Sequence, residues 1–211
     1  MENCIREVRA WMKEDMLWLN KSKTEFILIG SRKQLAKVTI NSIKVGDADI
    51  ATVSSARNLG AWFNSYMDMA THISKTCSSA FYYLYNIRHI RKYLSKEHTE
   101  QLIHAFITSR LDYCNSLLYG IAEYQIKKLQ RIMNASARLI YCAPKFCHIT
   151  PILKELHWLP VRARIEFKLL LITYKVVKGL APKYLSELIS VLPMSKYNLR
   201  QIGRASCRER V

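Results

Sequence analysis

Apolar positions recur at two different periods along this chain, and the change of period divides it. In the first part, Ile5, Val8, Met12 and Met16 recur at helical spacing with Trp11 and Leu19 beside them, and Asn20-Lys21-Ser22 ends the helix that they predict. Thr24 to Ile29 then reads as a buried strand closed by Gly30. Val38-Thr39-Ile40 and Ile43-Lys44-Val45, either side of Asn41-Ser42, read as a hairpin. Gly46-Asp47-Ala48-Asp49 and Ser54-Ser55 read as turns, and Asn58-Leu59-Gly60-Ala61-Trp62-Phe63 begins a further short strand. The expected fold class of this part is α+β, a helix with short antiparallel strands.

After about Asp68 the period is helical throughout. Cys77, Ala80, Phe81, Leu84 and Ile87 form one apolar face. Ser95, with Glu97 in the turn after it, predicts the N-cap of a helix that buries Leu102, Ile103, Phe106 and Ile107, with a stop at Gly120. A long helix over 123–141 places Ile126, Leu129, Met133, Ala137 and Ile140 on one side, and Pro144 prevents its continuation. Pro151 and Pro160 stand where first helical residues are expected. The second opens a helix through Val161, Ile165, Leu169, Ile172 and Val176 that ends at Gly179, and a short one follows Pro182. This part is expected to be mainly α-helical.

Composition narrows the classes. Half of the 211 residues are apolar, ample for a packed core in one or two domains. No apolar run has the length of a membrane span and the first residues lack the pattern of a signal peptide, so the expectation is an intracellular protein, cytoplasmic or nuclear, with no membrane partner. The six cysteines are scattered, mostly on apolar helix faces, and read as reduced thiols. Net charge is +17 and is unevenly placed: residues 1–75 carry 11 Lys and Arg against 8 Asp and Glu, whereas residues 76–201 carry 19 against 7. A basic helical part predicts a polyanionic partner.

Three stretches carry a family resemblance. Leu19-Asn20-Lys21-Ser22-Lys23-Thr24-Glu25-Phe26-Ile27-Leu28-Ile29-Gly30, Leu111-Asp112-Tyr113-Cys114-Asn115-Ser116-Leu117-Leu118-Tyr119-Gly120 and His157-Trp158-Leu159-Pro160 resemble segments of the reverse transcriptases of LINE-type, non-LTR retrotransposons. The resemblance implies that residues 1–67 form the end of a polymerase palm and 68–201 a helical thumb and its extension. The upstream palm and fingers are expected to lie outside the chain. Residues 202–211 resemble the in-frame translation of a sequencing adapter and are set aside as non-structural. The implied parent activity is RNA-directed DNA synthesis with magnesium and deoxynucleoside triphosphates.

The resemblance also assigns residues. Lys23 matches the lysine of the motif after the catalytic aspartate pair, where a cation could neutralise departing pyrophosphate in an intact enzyme; the plainer reading is a solvated turn lysine near Glu25 or Asp15. Leu59 and Gly60 resemble the hairpin that positions a primer end, since a glycine permits close approach of a sugar-phosphate strand. The aspartate pair itself is missing. Asp47-Ala48-Asp49 reads as a turn in which Asp satisfies backbone donors, so no metal ligand or cofactor is assigned and the chain is not expected to polymerise on its own.

Independently of any family, the basic residues fall in stripes. Lys127, Arg131 and Arg138 align on the 123–141 helix opposite its apolar face, with Lys128 beside them; Arg88 and Lys92 stand at i, i+4; Arg162, Arg164 and Lys168 decorate the helix after Pro160. Such stripes could neutralise the phosphates of an RNA–DNA hybrid or duplex without reading its bases, although a solvated polar face has the same pattern. Cys142, Cys147, His148 and His157 lack the paired spacing of a zinc site. A non-enzymatic nucleic-acid-binding module, a helical interaction module and a remnant without function stay open beside the polymerase-fragment reading.

Overall fold

The computed structural model describes residues 2–189; the end of the expected thumb extension, 190–201, and the adapter-like run 202–211 lie outside them. The chain divides into two compact units, Met1–Glu166 and Phe167–Val211. The change of period at about Asp68 falls inside the first of these.

The N-terminal helix α1, Glu2–Glu14, ends earlier than its apolar spacing predicts, and the chain leaves it through Met16 at φ 57°. None of its residues is buried, and Trp11 is 61% exposed. The short α2, Arg32–Leu35, begins at a capping box in which the Ser31 hydroxyl accepts from the Gln34 amide and the Gln34 side chain accepts from the Ser31 amide.

Two separate antiparallel hairpins follow. In the first, β1 (Ser42–Val45) pairs with β2 (Ala48–Ala51). In the second, β3 (Ser55–Asn58) pairs with β4 (Ala61–Asn64). The hairpin expected about Asn41-Ser42 is therefore displaced: the turn is Gly46-Asp47, because Gly46 adopts φ 66° without strain and closes a two-residue loop. Ala48 and Asp49 belong to a strand and not to the turn. The expected strand over 24–29 does not form. With each sheet closed on its sequence neighbour, that segment makes only an isolated parallel bridge, Phe26 to Thr52, and its residues are half-buried or exposed.

The helical remainder of the first unit holds the main core. Helix α3, Ala70–Ile90, buries Ile73, Ala80, Leu84 and Ile87; Phe81, expected on that face, is half exposed. Ser95 caps α4, Lys96–Ile103, by accepting from the His98 amide at 3.2 Å, as its sequence predicts. The helix then widens into a π-turn over His104–Thr108 before α5, Ser109–Asp112. Ile103, Ile107 and Leu111 stay inward through this stretch, while Phe106 is 40% exposed and stacks on Tyr83 with centroids 5.1 Å apart. Helix α6, Glu123–Tyr141, has the bounds expected and buries Ile126, Leu129, Ile132, Met133, Ala137 and Ile140. Burying a side chain such as Ile132 contributes on the order of 2 kcal/mol.

Helix α7, Ile149–Glu155, contains Pro151 as its third residue, still within the first turn where no intrahelical N–H is lost. Lys96, on α4, lies 3.5 Å from Glu155 and 3.8 Å from the centroid of the Tyr141 ring, so the starts and ends of three helices meet at one charged point. The hydrogen bond from Tyr141, aided by Lys96, holds the Glu155 carboxyl below its usual range. Helix α8, Val161–Val177, starts on an amide that donates to Gln130 Oε1 at 2.8 Å, a cap supplied by α6. In the second unit Gly179 ends α8 at φ 69°, and α9, Lys183–Ser186, follows Pro182. Among the described residues no helix is long and apolar enough to cross a membrane.

Candidate nucleic-acid interface

The tip of the second hairpin organises the site. Leu59 and Gly60 are its two loop residues, and both take positive φ, 46° and 88°. A two-residue loop of this kind matches the twist of its strands, but only Gly60 is suited to the backbone that it requires. Leu59 is 85% exposed at the apex.

Two segments that are remote in sequence hold the tip in place. The Tyr113 hydroxyl donates to the Leu59 carbonyl. Its neighbour Asp112 accepts from Arg164 Nη1 at 2.7 Å, and Arg164 Nε donates to the Leu159 carbonyl at 3.0 Å. Beside Leu159, the indole of Trp158 is buried in the core, within 5.3 Å of the His104 ring and 5.9 Å of the Arg164 guanidinium. Residues 59–60, 111–120 and 157–160, three stretches singled out in the sequence, are thus joined by one chain of hydrogen bonds and packing.

Next to the tip lies an open cleft of about 540 Å³, lined in part by Arg57, Gly60, Trp62, Lys75, Arg110 and Tyr113, with the hydroxyls of Thr76, Ser79 and Ser109. Among the described residues no carboxylate lines it. Lys75 Nζ lies 4.2 Å from the centroid of the Trp62 ring, and the Arg110 guanidinium 4.7 Å from that of Tyr83, whose hydroxyl it also meets at 3.1 Å. His72 anchors the wall: its Nδ1 accepts from the Trp62 amide at 3.4 Å, and burial pushes its pKa below the ordinary 6.5. Cations, hydroxyl donors and ring faces without a competing carboxylate form a surface suited to a sugar-phosphate strand.

The stripes expected from sequence separate into distinct groups. Lys127, Lys128 and Arg131 are exposed on α6, and Lys92 is exposed over the Tyr93 ring at 4.7 Å. Arg138 leaves its stripe: it is half-buried, with Nη2 donating to the Cys147 carbonyl at 3.3 Å. Arg88, exposed on α3, shares a second cleft with it. Arg162 is ion-paired with Glu123, and Arg164, its side chain 17% exposed, is held by Asp112 as above, so carboxylates already compensate both. Lys168 is exposed in the second unit. Lys23 ends an exposed single turn over Lys21–Lys23 and has no ion-pair partner among the described residues, whereas its neighbour Lys21 meets Asp47 at 3.1 Å. That ion pair and its hydrogen bond lower the Asp47 pKa.

The cleft cations Arg57, Lys75 and Arg110 were not marked by any stripe. The available signal was in β3 and β4, where Arg57 stands across from Trp62, a cation and an aromatic on one face of a hairpin. Among the described residues no three His, Cys, Asp or Glu side chains gather as a metal site would need. Asp47 is tied to Lys21 in its turn, and Asp49 lies in β2. No family model matches this chain, and no curated protein or solved structure matches it either.

Proposed function

We propose that this chain is part of a retrotransposon-type RNA-directed DNA polymerase, lacking the catalytic aspartates, whose role is to hold the sugar-phosphate backbone of a template–primer duplex. The observation that carries this reading is the joining of the Leu59-Gly60 hairpin tip to two of the resemblance stretches, 111–120 and 157–160. Stretches up to 100 residues apart in sequence, from Leu59 through Asp112 and Tyr113 to Leu159, meet beside a cleft of three cations. In this reading, residues 1–67 are the end of the palm, the helices after 68 form a thumb, and Leu59 and Gly60 position a primer strand. Arg57, Lys75 and Arg110 neutralise its phosphates, and Lys127, Lys128 and Arg131 extend the basic surface. Exposed Trp11, Trp18 and Ile29 would then face the missing upstream palm.

The chain binds but does not polymerise in this proposal, since its sequence has no two adjacent aspartates to seat magnesium. A labelled RNA–DNA hybrid titrated at several salt concentrations tests the binding. Changing Arg57, Lys75 and Arg110 together to Gln should weaken it for any sequence and flatten the salt dependence by about 0.9 per lost contact, taking the B-DNA value. The control Lys33→Gln/Lys37→Gln/Lys44→Gln should do much less. Wild-type protein without salt-sensitive binding, or equal loss in both triple variants, would leave the helical interaction module as the better reading. Primer extension with magnesium and nucleotides should give no product.

A further inference from the structure

A second cleft, of about 440 Å³, lies between α3 and α6 and shares no residue with the first. Arg88 comes from the last turn of α3, Arg138 from the last turn of α6 and Lys145 from the loop beyond it; the remaining walls include Leu84, Ala135 and Leu139. Among the described residues no carboxylate lines the cleft, and none lies within 4.0 Å of any of the three cations.

Helix C-termini attract cations, and that alone could account for a basic cluster here. Three carbonyls of the last turn of α6, however, are already served. Leu139 and Ile140 accept from Arg91 at 3.0 and 2.8 Å, and Arg138 O accepts from the Ala143 amide at 2.9 Å. The Arg138 side chain instead donates to Cys147 O through one nitrogen, while its buried Nε has no partner among the described residues. A buried charged donor left unmatched beside two further cations and apolar walls is costly unless an anion completes it. Lys145 is followed by Phe146, 92% exposed, which puts an open ring face next to the cluster.

We propose that this cleft is a phosphate-binding site, in which Arg138 grips the anion from the floor and Arg88 and Lys145 close on it from the rim. The ligand is a phosphate group, borne either by a free small molecule or by a nucleic-acid strand whose base could rest on Phe146. The site does not depend on the template–primer reading.

The test is calorimetric titration of the full chain with inorganic phosphate, followed by competition with single-stranded hexathymidylate. Wild-type protein should show saturable phosphate binding. Arg88→Gln/Lys145→Gln, two changes at exposed positions, should weaken it about tenfold or more, as expected for loss of charge-assisted bonds. Arg138→Lys, which keeps the charge but removes Nε, should weaken it to a lesser degree. Lys33→Gln/Lys37→Gln, at exposed positions that line neither cleft, should leave it unchanged. Displacement of phosphate by hexathymidylate would identify a strand as the source, and retention would identify a small molecule; either supports the site. No saturable binding by wild type, or equal effects of the two double variants, would overturn it.

Discussion

Arg91 and Ile140 are 49 residues apart in sequence, yet the guanidinium Nη2 of the first donates to the carbonyl of the second at 2.8 Å. The same side chain reaches Leu139 O through Nε at 3.0 Å and Leu94 O through Nη1 at 2.7 Å. One planar group thereby closes the C-terminal end of α6 and ties the connection between α3 and α4 to it. Lysine, with a single nitrogen, cannot reproduce that fork. Arg91→Ala should destabilise the first unit by about 2–3 kcal/mol in urea unfolding, and Arg91→Lys should recover less than half of the loss. A change within about 0.5 kcal/mol would show that water replaces the clamp without cost.

Stability should depend on pH through His72. Its buried imidazole is held below 6.5, so the unfolded chain takes up a proton first as pH falls. The contribution is complete above about pH 6.5 and is lost progressively as pH falls from there toward the native pKa. Protonation would also remove the acceptor that Nδ1 offers to the Trp62 amide. Urea midpoints at pH 7.5 and 5.5 should differ in the wild type and differ less in His72→Asn, which retains an acceptor. An unaltered pH dependence in the variant would assign it to other groups.

The hairpin tip is built against its own stability. Leu59 occupies a left-handed position at φ 46°, where Asn is far better suited. Leu59→Asn should raise the thermal midpoint, by an amount equivalent to about 0.5–1 kcal/mol, while weakening hybrid binding if the exposed leucine meets the strand. Gly60→Ala should act oppositely on stability, costing about 1 kcal/mol or more, because φ is 88° and the added carbon would stand 3.1 Å from the Tyr113 ring. Stabilisation with no change in binding would remove Leu59 from the interface.

Hydrogen exchange should divide the first unit. Ile43 and Val45 are buried but lie outside the main core, and α1 above them buries nothing. Amides of β1 and β2 should exchange at least about tenfold faster than those of α6, whose inner face is enclosed on all sides. Equal protection in the two would mean that the hairpin and the helices unfold as one cooperative body.

Periodicity made the helices legible because α6 and α3 each bury one continuous face, and the Ser95 cap follows from local chemistry alone. The first part was harder to read. Its apolar run over 24–29 was written like a strand, but strand formation depends on a partner, and the partners it needed were already paired in tight hairpins. Several bends also lack the usual punctuation. Met69, Cys114, Cys142 and His157 take left-handed φ of 50–58° where glycine would have announced the break. The three candidate segments were visible as motifs, but their meeting was not. Tyr113 to Leu59 and Asp112 to Arg164 are contacts across 54 and 52 residues, which no local pattern encodes. The stripe on α6 was legible only as a direction, and Arg138 turned inward because its side chain reaches the loop carbonyl of Cys147.

The π-turn at His104–Thr108 has a consequence for how this chain can vary in length. Such a turn holds one residue more than the α-helix around it, so removing a residue there would leave an ordinary helix and not a broken one. The rotational cost would be small: with one residue gone between Ile103 and Ile107, those two and Leu111 would change from i, i+4, i+8 to i, i+3, i+7 and still share one face of an α-helix, while Asp112 and Tyr113 kept their reach to Arg164 and Leu59. The wide turn thus works as slack, a place where the rod can hold or lose one residue while its core-facing helix and its tip-holding segment stay in register.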